Sequence, residues 1–210
     1  MRRTALLLLL PLSGLLPGCG EDTEGAVTGA ETPPAVTRVA ARPGQRPGLE
    51  SALERLPEGV AGFTRRDITW HERQRAGMGA AVDYDGPARS AVSTVSVYDR
   101  GRAAVPDDVN DPALQAEFSE AVREALALAG TRTSQQLAER DRTDVAVPGQ
   151  APMRCARLLG TYGRQEVQTL VCLGGAAGRF LKVLVTSPSR QVRPVDPLPF
   201  VVGIAQAARG

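Results

Sequence analysis

Hydrophobic positions fall into three regimes along the chain. Residues 5–16 are almost all apolar, residues 20–48 carry no apolar period, and from residue 49 onward helical and alternating patterns take turns. Leu49, Leu53 and Leu56 share one face of a helix that Pro57 stops. A short strand is expected over residues 62–69. Residues 79–85 alternate Ala80, Val82 and Tyr84 against Ala81, Asp83 and Asp85. Residues 90–99 are β-branched, with Val95 and Val97 on one face and Val92, Thr94 and Tyr98 on the other, so the two segments read as a hairpin.

Residues 112–129 give the clearest helix. Asp111 is a good N-cap, Pro112 suits the first helical position, and Gly130 suits the C-terminal cap. Leu114, Phe118, Val122 and Leu126 recur every four residues as its buried stripe. Residues 131–152 show no period and are expected to be irregular. Next, residues 153–162 and 165–174 flank Gly163-Arg164, a pair suited to a two-residue type II′ hairpin turn. Residues 178–187 continue as a third strand with Leu181, Val183 and Val185 on one face, and the Gly-rich stretch before it, 174–178, reads as the connecting turn. A last helix is expected over 196–208, capped by Asp196, with Phe200, Val201, Ile204 and Ala208 available for packing. The expectation is an α+β domain over residues 49–210: an antiparallel β-sheet, made of a two-stranded hairpin plus a three-stranded meander, with helices packed on it. This element order is similar to the PsbP-like fold of photosystem extrinsic subunits and several bacterial lipoproteins. The resemblance is topological and brings no functional residue with it.

The hairpin turn also makes a prediction about cysteines. In a two-residue turn at 163–164, Tyr162 faces Gln165 and Cys155 faces Cys172. Counting outward, the cysteines meet at a non-hydrogen-bonded pair, where Cα atoms are about 4.5 Å apart and within reach of a disulfide. The alternative is two buried thiols in a core strand. A crosslink of this span would stabilise by about 3 kcal/mol in the chain-entropy model.

The N-terminus changes the picture of where the chain resides. Arg2 and Arg3 precede the apolar run, and small residues and Cys19 follow it, the order of a secretory signal. The run is too short, and too interrupted by Pro11 and Pro17, to span a bilayer. Leu16-Pro17-Gly18-Cys19 resembles the lipobox of bacterial lipoproteins. The resemblance implies removal of residues 1–18 and acylation of Cys19, with the membrane as a partner through that lipid. Pro17 departs from the family pattern, which has a small or β-branched residue there. Gly20, where an aspartate would signal retention at the inner membrane, leans toward the outer one. Residues 19–48 then form a lipidated tether, too rich in Gly, Pro, Thr and Glu to fold, with a span on the order of 30 Å. An exported chain sits in an oxidising compartment, which favours the Cys155–Cys172 bond.

Composition mostly excludes. The 210 residues carry 25 basic and 23 acidic side chains. With Arg2 and Arg3 in the segment read as removed, the remainder is neutral, which argues against nucleic acid as a partner. A single histidine excludes a two-His metal site. That residue, His71 in Trp70-His71-Glu72-Arg73, is a candidate base or ligand contact. Asp83 and Asp85 with Asp99 form a candidate acidic group. Asp107, Asp108, Asn110 and Asp111 lack the spacing of an EF-hand loop. Arg65, Arg66, Arg73 and Arg75 make a basic cluster that Asp67 and Glu72 interrupt. No catalytic, cofactor or metal residue is assigned. The functional expectation is a lipid-anchored envelope protein with a disulfide-stapled, non-catalytic binding or assembly domain and an envelope protein as partner. The alternatives are an envelope hydrolase using an acidic pair or His71, and a carrier of a small apolar ligand.

Overall fold

The computed structural model describes residues 46–131, 135–192 and 194–210. The expected signal segment 1–18, the acylated Cys19 and the tether up to residue 45 lie outside them. The described chain runs α1 (Leu49–Glu54), β1 (Gly59–Val60), β2 (Phe63–Trp70), β3 (Ala80–Asp85), β4 (Val92–Tyr98), α2 (Pro112–Thr131), β5 (Gln135–Val147), β6 (Gln150–Tyr162), β7 (Gln165–Ala176), β8 (Arg179–Pro188) and α3 (Leu198–Arg209). The strands form one sheet in the order β1-β2-β3-β4-β8-β7-β6-β5, antiparallel at every pairing. It curls into a half-barrel with three helices.

This corrects the expected hairpin plus three-stranded meander. Two facts merge and enlarge those pieces. First, β4 pairs with β8 along its whole length, from Val92 opposite Thr186 to Tyr98 opposite Phe180. Second, the stretch expected to be irregular supplies β5, paired with β6 from Gln135 opposite Tyr162 to Val147 opposite Gln150. β5 is an edge strand with charged or polar residues at most positions and bulges between Glu139 and Asp141 and between Val145 and Val147. Most of its described side chains are exposed, so it shows no regular burial alternation. The other added strand, β1, is only two residues long.

Elsewhere local chemistry and structure agree except at two helix ends. The β6–β7 ladder has Tyr162 opposite Gln165, and every pair down to Arg154 opposite Leu173 keeps that register. Gly163 sits at φ +59°, as the first turn residue requires. Cys155 and Cys172 face each other with Cα atoms 4.0 Å apart and are joined as a disulfide. At the start of α2 the Asp111 carboxylate accepts from the Ala113 N–H at 2.7 Å. That helix runs on to Thr131, so Gly130 lies within it rather than capping its end. α3 starts at Leu198 with Pro197, not the expected Asp196, as its N-cap; Asp196 instead accepts the Leu198 N–H at 3.0 Å.

Strand alternation sorts the core into two layers. On one face Val82, Tyr84, Val95, Val97, Val183, Cys155 and Cys172 pack under α1 and α3, with Phe200 against Phe63 and Tyr84. On the other face Tyr98, Leu158, Val171, Leu173 and Phe180 pack under Leu114, Phe118 and Val122 of α2. Gly174 and Gly175, expected in a turn, belong to β7; the turn itself is Ala177-Gly178. A Cβ on Gly175 would stand 2.2 Å from the Pro106 carbonyl, and one on Gly174 would stand 2.9 Å from the Arg209 guanidinium. Arg209 uses that space to donate to the Gly175 and Ala151 carbonyls, tying α3 to β6 and β7. Packing also begins earlier than residue 49: Arg46 pairs with Asp99 at 3.0 Å, and the Pro47 carbonyl accepts from Arg179. Among the described residues no helix is long and apolar enough to cross a membrane.

Candidate functional site

Of the residues singled out by chemistry, Asp83, Asp85 and Arg66 line one shallow concavity, the others are dispersed, and most are engaged locally. Asp83 accepts from Thr94 at 2.8 Å, Asp85 pairs with Arg66 at 2.8 Å, and Asp99 is held by Arg46. Beside His71, Glu72 accepts from the backbone N–H groups of Gly77 and Gly79 and closes the β2–β3 loop. Those two bonds hold its carboxyl below the usual value. Arg65 donates to the Leu56 carbonyl, and Arg73 stacks on Trp70. In the Asp107–Asp111 stretch, Asp108 accepts from Asn110 and Asp111 caps α2. Among the described residues no group of three or more His, Cys, Asp and Glu is arranged to hold a metal ion.

An ionic network lies between α2 and the sheet. Arg100 donates to Glu117 at 3.1 Å and to Glu124 at 2.9 Å, Lys182 donates to Glu124 at 3.1 Å, and the Tyr98 hydroxyl donates to Glu117 at 2.9 Å. Burial, then the nearby Glu117 carboxylate, pushes the Tyr98 hydroxyl well above its ordinary pKa. Burial raises Glu124, but Lys182 and Arg100 outweigh it and hold the carboxyl low. Every charge here meets an opposite one, so the network latches α2 to the sheet.

Two concave sites open at the end of the sheet that carries the β6–β7 turn. The first lies on the disulfide face, beside the start of α3, with a volume of about 320 Å3. Leu170, Val185, Pro197 and Leu198 contribute its apolar surface, and Gln168, Ser187 and Thr143 contribute amide and hydroxyl groups. Its charged groups are Asp141, Arg157 and Asp196. The Arg157 guanidinium donates through Nε and Nη2 to Asp141 Oδ2. Asp196 spends one oxygen on the Leu198 N–H, and its other oxygen has no hydrogen-bond partner among the described residues. Leu198 is 40% exposed, an unusual position for a large apolar side chain. The position of this pocket follows from the register: Arg157 faces Leu170, one same-face step from the Cys155–Cys172 pair.

The second site is a shallow trough on the opposite face, of about 590 Å3. Val92, Thr94, Leu184, Thr186, Val167 and Thr169 belong to its floor, and Ala125 and Leu137 border it. Val92 is 56% exposed and Tyr162 is 50% exposed, both within this trough. Neither site was anticipated from the sequence, because each draws single residues from strands distant along the chain. The one local signal was Arg157, a charge on the same strand face as Cys155.

No protein-family model matches the chain, and no curated protein matches its sequence.

Proposed function

We propose that this chain is a lipid-anchored protein of the bacterial cell envelope whose disulfide-stapled domain binds a partner and has no catalytic activity of its own. The order Arg2-Arg3, apolar run, Leu16-Pro17-Gly18-Cys19 supports the anchor, and two or more acyl chains give stable attachment. A disulfide between Cys155 and Cys172 fits an oxidising compartment. The observation that carries the binding role is the trough over β4, β8 and β7, where Val92 and Tyr162 stay open to solvent instead of packing. The acidic-pair form of the hydrolase alternative is disfavoured, since Asp83, Asp85 and Asp99 each hold a structural partner.

Two measurements on the full chain in a bacterial host test this reading. Labelling with a fatty-acid analogue should be lost in Cys19→Ala; persistent labelling overturns the anchor. A photo-reactive residue at position 92 or 162 should crosslink to one discrete envelope component, whereas the same probe at Arg123, on the outer side of α2, should not. Equal labelling from all three positions overturns the trough as a binding surface.

A further inference from the structure

The geometry points to the pocket beside α3 as a binding site for a small organic cation: a compact apolar body carrying a protonated amine. This inference goes beyond the envelope reading and stands or falls without it. Ligand sites are typically concave and apolar with a few convergent polar groups, and this pocket has that make-up. Leu170 and Val185 offer a floor, and Leu198 stands over it from α3. Its volume of about 320 Å3 is at the small end for such sites, so the body it accepts is about the size of one ring rather than a long chain.

The sign of the charge follows from the pairing. Three charged side chains line the pocket: Asp141, Arg157 and Asp196. Arg157 commits both Nε and Nη2 to Asp141, so those two charges meet each other. Asp196 is left with one oxygen unused among the described residues. The remaining polar groups add to the imbalance: Gln168 spends an amide N–H on Ser187, which leaves its carbonyl available to accept. An anionic ligand could reach only the outer N–H groups of a guanidinium already paired with Asp141, and would sit beside two carboxylates. An ammonium group instead meets Asp196 directly, and charge-assisted hydrogen bonds are roughly twice as strong as neutral ones.

Three probes of nearly the same shape separate the outcomes: cyclohexylmethylamine, cyclohexylmethanol and cyclohexanecarboxylate. Each is titrated into the purified full chain in detergent and followed by calorimetry and by the methyl resonances of Leu170, Val185 and Leu198. Asp196 is exposed, so solvent screens its charge: the amine should bind about three- to fivefold more tightly than the alcohol, and the carboxylate more weakly than either. Asp196→Asn, which keeps an acceptor for the Leu198 N–H, should bring the amine down to the level of the alcohol. Leu198→Trp, a change at an already exposed position, should fill the mouth and weaken the amine and the alcohol together. The inference is overturned if no probe shifts those methyl groups, if the carboxylate binds best, or if the amine keeps its advantage in Asp196→Asn. Each reading is made on the isolated chain, so none depends on where the protein is anchored or on what the trough binds.

Discussion

Arg157 stands opposite Leu170 in the β6–β7 ladder, one same-face step beyond the crosslinked pair Cys155 and Cys172. The covalent bond therefore fixes the two strands that supply one wall of the pocket, and stability and pocket geometry share a single constraint. Cys155→Ala/Cys172→Ala should lower the unfolding free energy by about 2–4 kcal/mol. Denaturant unfolding of the oxidised, reduced and double-variant chains would measure it. An oxidised chain no more stable than its reduced form would contradict the expectation.

Acid should loosen the β2–β3 loop through Glu72. The Gly77 and Gly79 N–H groups lower its pKa from the ordinary 4.5. A depressed carboxylate contributes stability that is present above its unfolded pKa and is lost as pH falls through its folded one. The gap in unfolding midpoint between the natural chain and Glu72→Gln should thus be constant near neutrality and should close below pH 4.5. Glu72 is exposed, so solvent screening keeps the gap small. A gap that widens on acidification would reverse the sign and refute the assignment.

Arg100 joins α2 to the sheet through Glu117 and Glu124 and stacks on Tyr98. Arg100→Ala leaves the largely buried Glu117 carboxylate with only the tyrosine hydroxyl, and should cost about 2–3 kcal/mol. Arg100→Lys should recover part of the loss, because an ammonium group cannot reach both carboxylates in the guanidinium's planar geometry. Thermal unfolding of both variants would check the order natural chain, lysine, alanine.

Gly175→Ala would push a methyl group toward the Pro106 carbonyl and the Asp107 carboxylate, 2.2 and 2.5 Å from an ideal Cβ. Overpacking of this kind costs about 1–3 kcal/mol. Gly48→Ala is the control, since nothing lies within 4 Å of its Cβ position. Equal midpoints for the two variants would show that the 106–107 segment yields freely.

What the sequence made legible depended on burial. The β6–β7 register and its crosslink were readable from the turn at Gly163 and the spacing of two cysteines, because a two-residue turn leaves one pairing. The faces of β3, β4 and β8 were readable because one side of each meets the α1 and α3 layer. β5 was not readable: Glu139, Arg140, Asp141, Arg142 and Asp144 are all exposed, so neither side of most of the strand carries an apolar signature. Its loss from the reading also hid Asp141 and Thr143, and with them the pocket. Gly174 and Gly175 were misassigned because their small size serves Arg209 and the 106–107 segment, contacts that come from other parts of the chain. The union of β4 with β8 could not be inferred either, since 80 or so residues separate them and no turn links them.

The outermost strand has a social consequence. A second copy approaching along β5 would find a rim kinked at two places and studded with both signs of charge, and would gain few backbone bonds by extending the sheet there. Extension of the sheet from one copy to the next is therefore disfavoured at this rim.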